Sequence, residues 1–300
     1  MRKMTFLFVV LSIVSCAGKA ASDGAQESDT IASVIEEQSS EAKEVSPATI
    51  GDIPLPDGFE RLPITDSTSF AYFLRNLPLK PLGTPVYTCY GDEGLTKSAY
   101  AVIDGYAPGN EDLQQCADAI IRLRAEWLYK NKRYDEIAFH FTNGWLCEYK
   151  RWAEGERVHV SGNKTSWYKA FYTPDYSYST FLQYLKMVFN YAGTLSLSRE
   201  LRETSITAIQ IGDVFIRGGS PGHAIIVVDV AKDVKWHPGD KCFLVAESYM
   251  PAQDIHIIIN SNNYCERLSP WHLRDDVYRC GGYGYNFTTY TFSGTDLKRF

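Results

Sequence analysis

The segment SPGHAIIVVDV, residues 220–230, places an imidazole at the mouth of a β-branched run. Side chains alternate along a strand, so His223, Ile225, Val227 and Asp229 would share one face and Ala224, Ile226, Val228 and Val230 the other. Both faces are largely apolar, and the pattern predicts an inner strand. His223 stands at its first position, where the chain leaves a Ser-Pro-Gly turn, and Gly222 keeps the approach to the ring open. Such a histidine is either a core ring bonded to backbone or a base that meets a substrate. The next apolar run, CFLVAESY, carries Glu247 on the face of Phe243, Val245 and Tyr249. A carboxylate there needs a partner. An arginine would serve; so would His223, if the two strands are antiparallel neighbours. Glu247 would then hold one ring nitrogen and leave the other as a base.

A base needs a nucleophile, and Cys116 in LQQCADA is the first candidate. It lies in the early turns of a predicted helix, whose positive end favours the reactive thiolate. Gln115 beside it is the candidate to lend an amide to an oxyanion. Cys116, His223 and Glu247 together make a nucleophile, a base and an orienting group. Cys116 also falls on an apolar stripe with Leu113 and Ile120, where a small buried hydrophobe would serve. Cys242, Cys265 and Cys280 follow His223 and would suit a permuted arrangement, but no helix signal surrounds them. His256, between Ile255 and Ile257, reads as a surface residue. His140, His159, His237 and His272 show no metal-ligand spacing with carboxylates, and neither metal nor cofactor is called for.

The elements that must position these groups alternate along the chain. IPLPDGFERLPI reads as an extended wrapper, and residues 69–77 as a short helix stopped by Pro78. TPVYTCY and SAYAVID read as strands. Asn110 can cap a long helix, DLQQCADAIIRLRAEWLYKNK, in which Cys116 falls six residues past the cap, or four past Asp112. IAFHFTNGWLCEY predicts a hairpin around Asn143-Gly144, and further β character follows to residue 172. STFLQYLKMVFNYA is a second helix, with a stripe of Phe181, Tyr184, Leu185, Val188 and Tyr191, ending at Gly193. VFIRG, HAIIVVDV, CFLVAESY and DIHIII are four strands at hairpin-like separations. The order predicts an α+β fold, a mostly antiparallel sheet with helices packed on one side.

QIGDVFIRGGSPGHAIIVVDV followed by FLVAESYMPAQDIHI resembles the second half of a CHAP or NlpC/P60 domain. Those are papain-like amidases and peptidases that cut cell-wall peptides. The resemblance implies a papain-like core in which Gly212-Asp213 opens one strand, Gly222-His223 the next, and Glu247 completes the site. LQQCADA resembles, more loosely, the Gln-Cys stretch that heads the catalytic helix of these enzymes, which gives Gln115 and Cys116. The 107 residues between Cys116 and His223 would then hold an insertion of strands and the second helix. Most of the mature chain also resembles an uncharacterised bacterial lipoprotein family, domain of unknown function 4846. IPLPDGFERLP, FLRNLPLKP, DLQQCADAIIRLRAEWLY, YAGTLSLSRELR, GDVFIRGGSPGHA and SYMPAQDIHI carry that likeness. It implies export and lipidation, and no activity.

The chain's beginning agrees. Residues 1–16 combine a basic start, an apolar core and Ile13-Val14-Ser15-Cys16, the pattern of a lipoprotein signal peptide with Cys16 as the acylated residue. Residues 17–49 hold seven acids against two lysines and no aromatic ring, and read as a flexible tether. Most of the net charge of −6 belongs to this stretch. Residues 50–300 form a single α+β domain, nearly balanced in charge and without a long basic stripe, which argues against a nucleic-acid partner. Leaving out Cys16, six cysteines are compatible with disulfides, with some expected to be free. The expected place is the cell envelope, lipid-anchored, facing a membrane through Cys16. Two functions follow: a cysteine amidase acting on cell-wall peptides, or a non-catalytic binder of glycan or peptide. Twenty tyrosines and six tryptophans give the second reading its surface, unless they fill the core.

Overall fold

Runs of Val, Ile and Ala that are apolar on both faces can only be satisfied inside a sheet covered on both sides. In the computed structural model, which describes residues 46–261, 270–274 and 284–300, that sheet forms the centre of the fold. In chain order the elements leading to the middle of the chain are β1 (Phe59–Arg61), α1 (Phe70–Arg75), β2 (Ala99–Val102) and α2 (Cys116–Lys130). Next come the hairpin β3 (Ala138–His140) and β4 (Leu146–Glu148), then α3 (Tyr149–Ala153) and a second hairpin, β5 (Glu156–Ser161) and β6 (Lys164–Lys169). They are followed by α4 (Tyr178–Tyr191), α5 (Thr194–Glu200), β7 (Arg202–Glu203), β8 (Val214–Arg217), β9 (His223–Asp233), β10 (Lys241–Glu247) and β11 (His256–Ile258). The described part of the C-terminal region adds β12 (His272–Leu273), β13 (Gly284–Asn286), β14 (Thr291–Ser293) and β15 (Leu297–Arg299).

The main sheet runs β2-β11-β10-β9-β8-β15-β7, with β1 added to β9 and β12 to β10. Its pairings are antiparallel throughout. The helices gather on one face, where Ile120, Leu123, Leu185 and Leu197 meet Ala224, Ile226 and Leu244. The opposite face is closed by Ile206, Ile209, Tyr285, Phe287 and Phe292 over Phe215, Val227 and Val245. Each Val, Leu, Ile or Phe side chain among them contributes about 1.5–3 kcal/mol when fully withdrawn from water. This is the expected α+β arrangement, with helices on one side of an antiparallel sheet.

Several elements depart from the sequence reading. TPVYTCY is not a strand; Tyr87 and Thr88 make only isolated bridges, to Glu93 and Gln253. The face assignment of β9 also fails beyond Val228. Val227 opposes Val245 while Asp229 opposes Leu244, so β9 carries an extra residue there, a bulge. It turns the fully buried Asp229 to the helical face, where Arg61 (2.7 Å) and Arg75 (2.6 Å) pair with it, and Val230 to the other. Tyr191, placed on the apolar stripe of the second helix, lies partly exposed against Phe141. Much of the aromatic content is core: Tyr129, Tyr149, Tyr184 and Phe181 pack together, with Tyr129 stacked on Phe181 at 4.4 Å. Among the described residues no helix is long and apolar enough to cross a membrane. Residues 1–45, with Cys16, and the positions of Cys265 and Cys280 lie outside the described residues.

Candidate active site

The longest helix begins later than its polar prelude suggests. Residues 110–115 are fastened elsewhere. Ser248 Oγ donates to the Gln114 carbonyl (2.8 Å), Ala252 N–H donates to Asp112 Oδ1 (2.7 Å), and Gln114 Nε2 donates to the Tyr106 carbonyl (2.8 Å). The chain becomes helical only at Cys116, with Gln115 as cap and Asp118 Oδ2 accepting from the Gln115 N–H at 3.1 Å. Cys116 is therefore the first residue of α2, not its fourth or sixth. At that position the helix presents N–H groups without intrahelical partners, the end of the dipole that favours negative charge.

β9 and β10 are antiparallel neighbours, so Glu247, on the face of Phe243 and Val245, reaches His223 at the start of β9. Glu247 Oε2 lies 2.6 Å from His223 Nε2, and both side chains are buried. Thr289 Oγ1 donates to the same carboxylate oxygen at 2.9 Å. With Nε2 committed to Glu247, Nδ1 is the nitrogen left for a second partner, and Cys116 stands beside the ring among the groups that favour its charged form. Burial disfavours a charged ring, but the hydrogen bonds to Cys116 and Glu247 outweigh it and push His223 up to about 9. Glu247 shows the reverse balance: burial would raise it, and the hydrogen bond from His223 with the charges of His223 and His256 holds it below the ordinary carboxylate value.

Cys116, His223 and Glu247 thus meet in one place, although 107 positions separate the first two. The sulfur and the ring open into a cavity of about 560 Å³. Its walls are Phe189, Gly193 and Thr194 from the α4–α5 junction, the 219–222 loop, and Tyr249 with Tyr290. The rings of Tyr249 and Tyr290 lie 4.9 and 5.1 Å from that of His223. Gly222 is required here: a β-carbon would fall 2.4 Å from the Gly219 carbonyl and 2.6 Å from Thr194 Oγ1. A neighbouring cavity of about 290 Å³ shares Phe189 and is lined by no cysteine, serine or histidine.

The other candidates fall differently. Gln115 lines the cavity, but its side-chain amide donates to Asp112 Oδ1 at 3.0 Å. Asp213 is buried in an ion pair with Arg299 at 2.6 Å, so it is a structural anchor of its strand. Cys242 is fully buried on the helical face, and burial, aided by the Asp229 charge, pushes its thiol up, which removes it as a nucleophile. The four cysteines described, Cys89, Cys116, Cys147 and Cys242, are unbridged. Among the described residues no group of three or more His, Cys, Asp or Glu is placed to hold a metal ion.

His256 is a correction. It is fully buried, because β11 runs between β10 and β2, and it stands directly opposite Glu247. Its Nε2 lies 3.6 Å from Glu247 Oε1. The signal was present: DIHIII is apolar at three consecutive positions, a mark of a strand covered on both faces. Thr289 and Tyr290 sit in the β13–β14 turn, and nothing in their spacing tied them to His223.

No curated protein and no solved structure matched the chain. A family model, described as a domain of unknown function (4846), matches residues 51–299. That span takes in nearly all of the described fold and every residue of the cleft, and the chain belongs to this family of domains of unknown function.

Proposed function

We propose that the protein is a cysteine hydrolase of papain-like ancestry that cleaves amide bonds. The observation that carries the reading is Cys116, first residue of a helix, sharing one cavity with a buried His223 that is itself held by Glu247 at 2.6 Å. An imidazolium beside a sulfur favours the reactive thiolate. The Cys116 thiolate attacks the substrate carbonyl carbon, and a C–S bond forms as the carbonyl π pair moves to oxygen. The oxyanion is met by free N–H groups at the start of α2. Collapse breaks the C–N bond, and the leaving amine takes a proton from His223. The neutral ring then removes a proton from water, whose oxygen attacks the thioester. The acid departs and the thiolate–imidazolium pair returns. Glu247 keeps the ring oriented through both steps.

The substrate class rests on the sequence. A leader ending at Cys16 and a strand pattern resembling CHAP and NlpC/P60 domains support a lipid-anchored enzyme of the cell envelope acting on cell-wall peptides. The tyrosine rings around the cleft support a second reading, a non-catalytic binder of glycan or peptide. Labelling the native protein with a haloacetamide at neutral pH separates them. The hydrolase reading expects fast, selective modification of Cys116 over Cys89, Cys147 and Cys242, slowed at least a hundredfold in His223→Ala. An inert Cys116 leaves the binder.

A further inference from the structure

We infer that His256 is a positioning residue of the same site, a second imidazolium that holds Glu247 from the side opposite His223; the inference rests on the hydrolase reading. Glu247 Oε2 already accepts from His223 and Thr289. Its other oxygen, Oε1, is sealed and has no hydrogen-bond donor, and so is His256 Nε2, 3.6 Å away. Two unpartnered buried polar atoms therefore face each other. The second ring nitrogen decides what they are. His256 Nδ1 lies 3.0 Å from the Asp254 carbonyl, which can only accept, so Nδ1 carries a hydrogen. A neutral ring would then turn a bare Nε2 toward a carboxylate, acceptor against acceptor, deep inside the sheet. A ring with hydrogens on both nitrogens turns the same contact into an ion pair.

The surroundings leave Glu247 as the group that answers this charge. β2 places Val102 opposite His256. Asp254, on the approach to β11, gives its carbonyl, while its carboxylate is turned to Lys80 Nζ (3.3 Å) and the Tyr87 N–H (3.0 Å). His223 and Cys116 lie beyond Glu247. One carboxylate between two imidazoliums leaves one positive charge in excess, and the cluster becomes neutral when Cys116 is a thiolate. In this arrangement His256 never touches the substrate. It fixes Glu247, and through it the His223 ring, and it biases the cluster toward the reactive ion pair.

The test uses the full chain labelled with ¹⁵N at the imidazoles. At neutral pH both nitrogens of His256 are expected to carry hydrogens, with the resonances assigned by their loss in His256→Gln or, should that variant not fold, by correlation to the residue's own backbone. A neutral His256 with a bare Nε2 overturns the inference. In the folded His256→Gln variant the pH profile of Cys116 alkylation is expected to move about one unit to higher pH, because a positive charge has left a buried cluster. The same substitution in a Glu247→Gln background is expected to move it no further. A lower rate with an unmoved profile marks a merely structural role and also overturns the inference. Unselective alkylation of the wild-type thiol would instead sink the hydrolase reading, while the imidazole spectrum still reports the charge on His256.

Discussion

His223 links the site to the stability of the whole fold. Its ordinary value of 6.5 is pushed up to about 9 in the native protein, because bonds to Cys116 and Glu247 outweigh burial. The native state therefore holds this proton more tightly than the unfolded chain does. A shift of this size corresponds to roughly 3 kcal/mol of stability, at 1.36 kcal/mol per unit. The sign follows from the proton. Below pH 6.5 both states are protonated and the stabilisation is complete. As the pH rises the unfolded chain releases its proton first; roughly 1.4 kcal/mol remains at pH 8, and almost nothing above pH 10. Urea titrations of the wild type and of His223→Gln, at half-unit steps from pH 6.5 to 10, isolate this contribution from the tyrosines and lysines that both proteins share. The advantage of the wild type is expected to shrink by about 3 kcal/mol across that window, equivalent to roughly 6–12 °C in melting temperature for a domain of this length. Curves that stay parallel would show that the ring is neutral in the fold, which would refute an imidazolium held between Cys116 and Glu247.

Two further substitutions probe the parts that hold the site. Arg75→Met leaves Asp229 buried with only Arg61, and is expected to lower stability by about 3–5 kcal/mol in chemical denaturation, since one charge of a buried cluster loses a partner. Gly222→Ala drives a methyl group into the Gly219 carbonyl and Thr194; a loss of about 1–3 kcal/mol is expected, with slower Cys116 alkylation because the loop that borders the sulfur must shift.

What the sequence disclosed was governed by distance along the chain. Strand alternation is local, so VFIRG, HAIIVVDV, CFLVAESY and DIHIII were each legible as strands, and the meeting of His223 with Glu247 followed from the middle two. The hairpin at Asn143-Gly144 was equally local, with Gly144 at φ +85°. The start of α2 was not. Asn110, Glu111 and Asp112 make good helix-start residues, but Ser248 and Ala252, far away in sequence, claim the backbone and side chains of this stretch. The bulge in β9 has the same origin: Asp229 turns because Arg61 and Arg75 lie on the helical side, and alternation has no knowledge of them. Alternation turns His256 away from Ile255 and Ile257 and so points it to the surface; its burial depends on β2, more than 150 positions earlier, pairing beyond its strand.

The cleft draws one of its walls from a stretch of chain that supplies none of its reactive groups. The sulfur, the imidazole and the carboxylate are set by the N-terminus of α2 and two central strands, whereas Phe189, Ala192, Gly193 and Thr194 come from the long excursion that joins α2 to β8. That excursion leaves and rejoins the sheet without passing through the bonds that hold the three groups together. Replacing it would redraw the shape a ligand must match while the reacting atoms stay where they are, so selectivity and reactivity in this molecule can diverge independently.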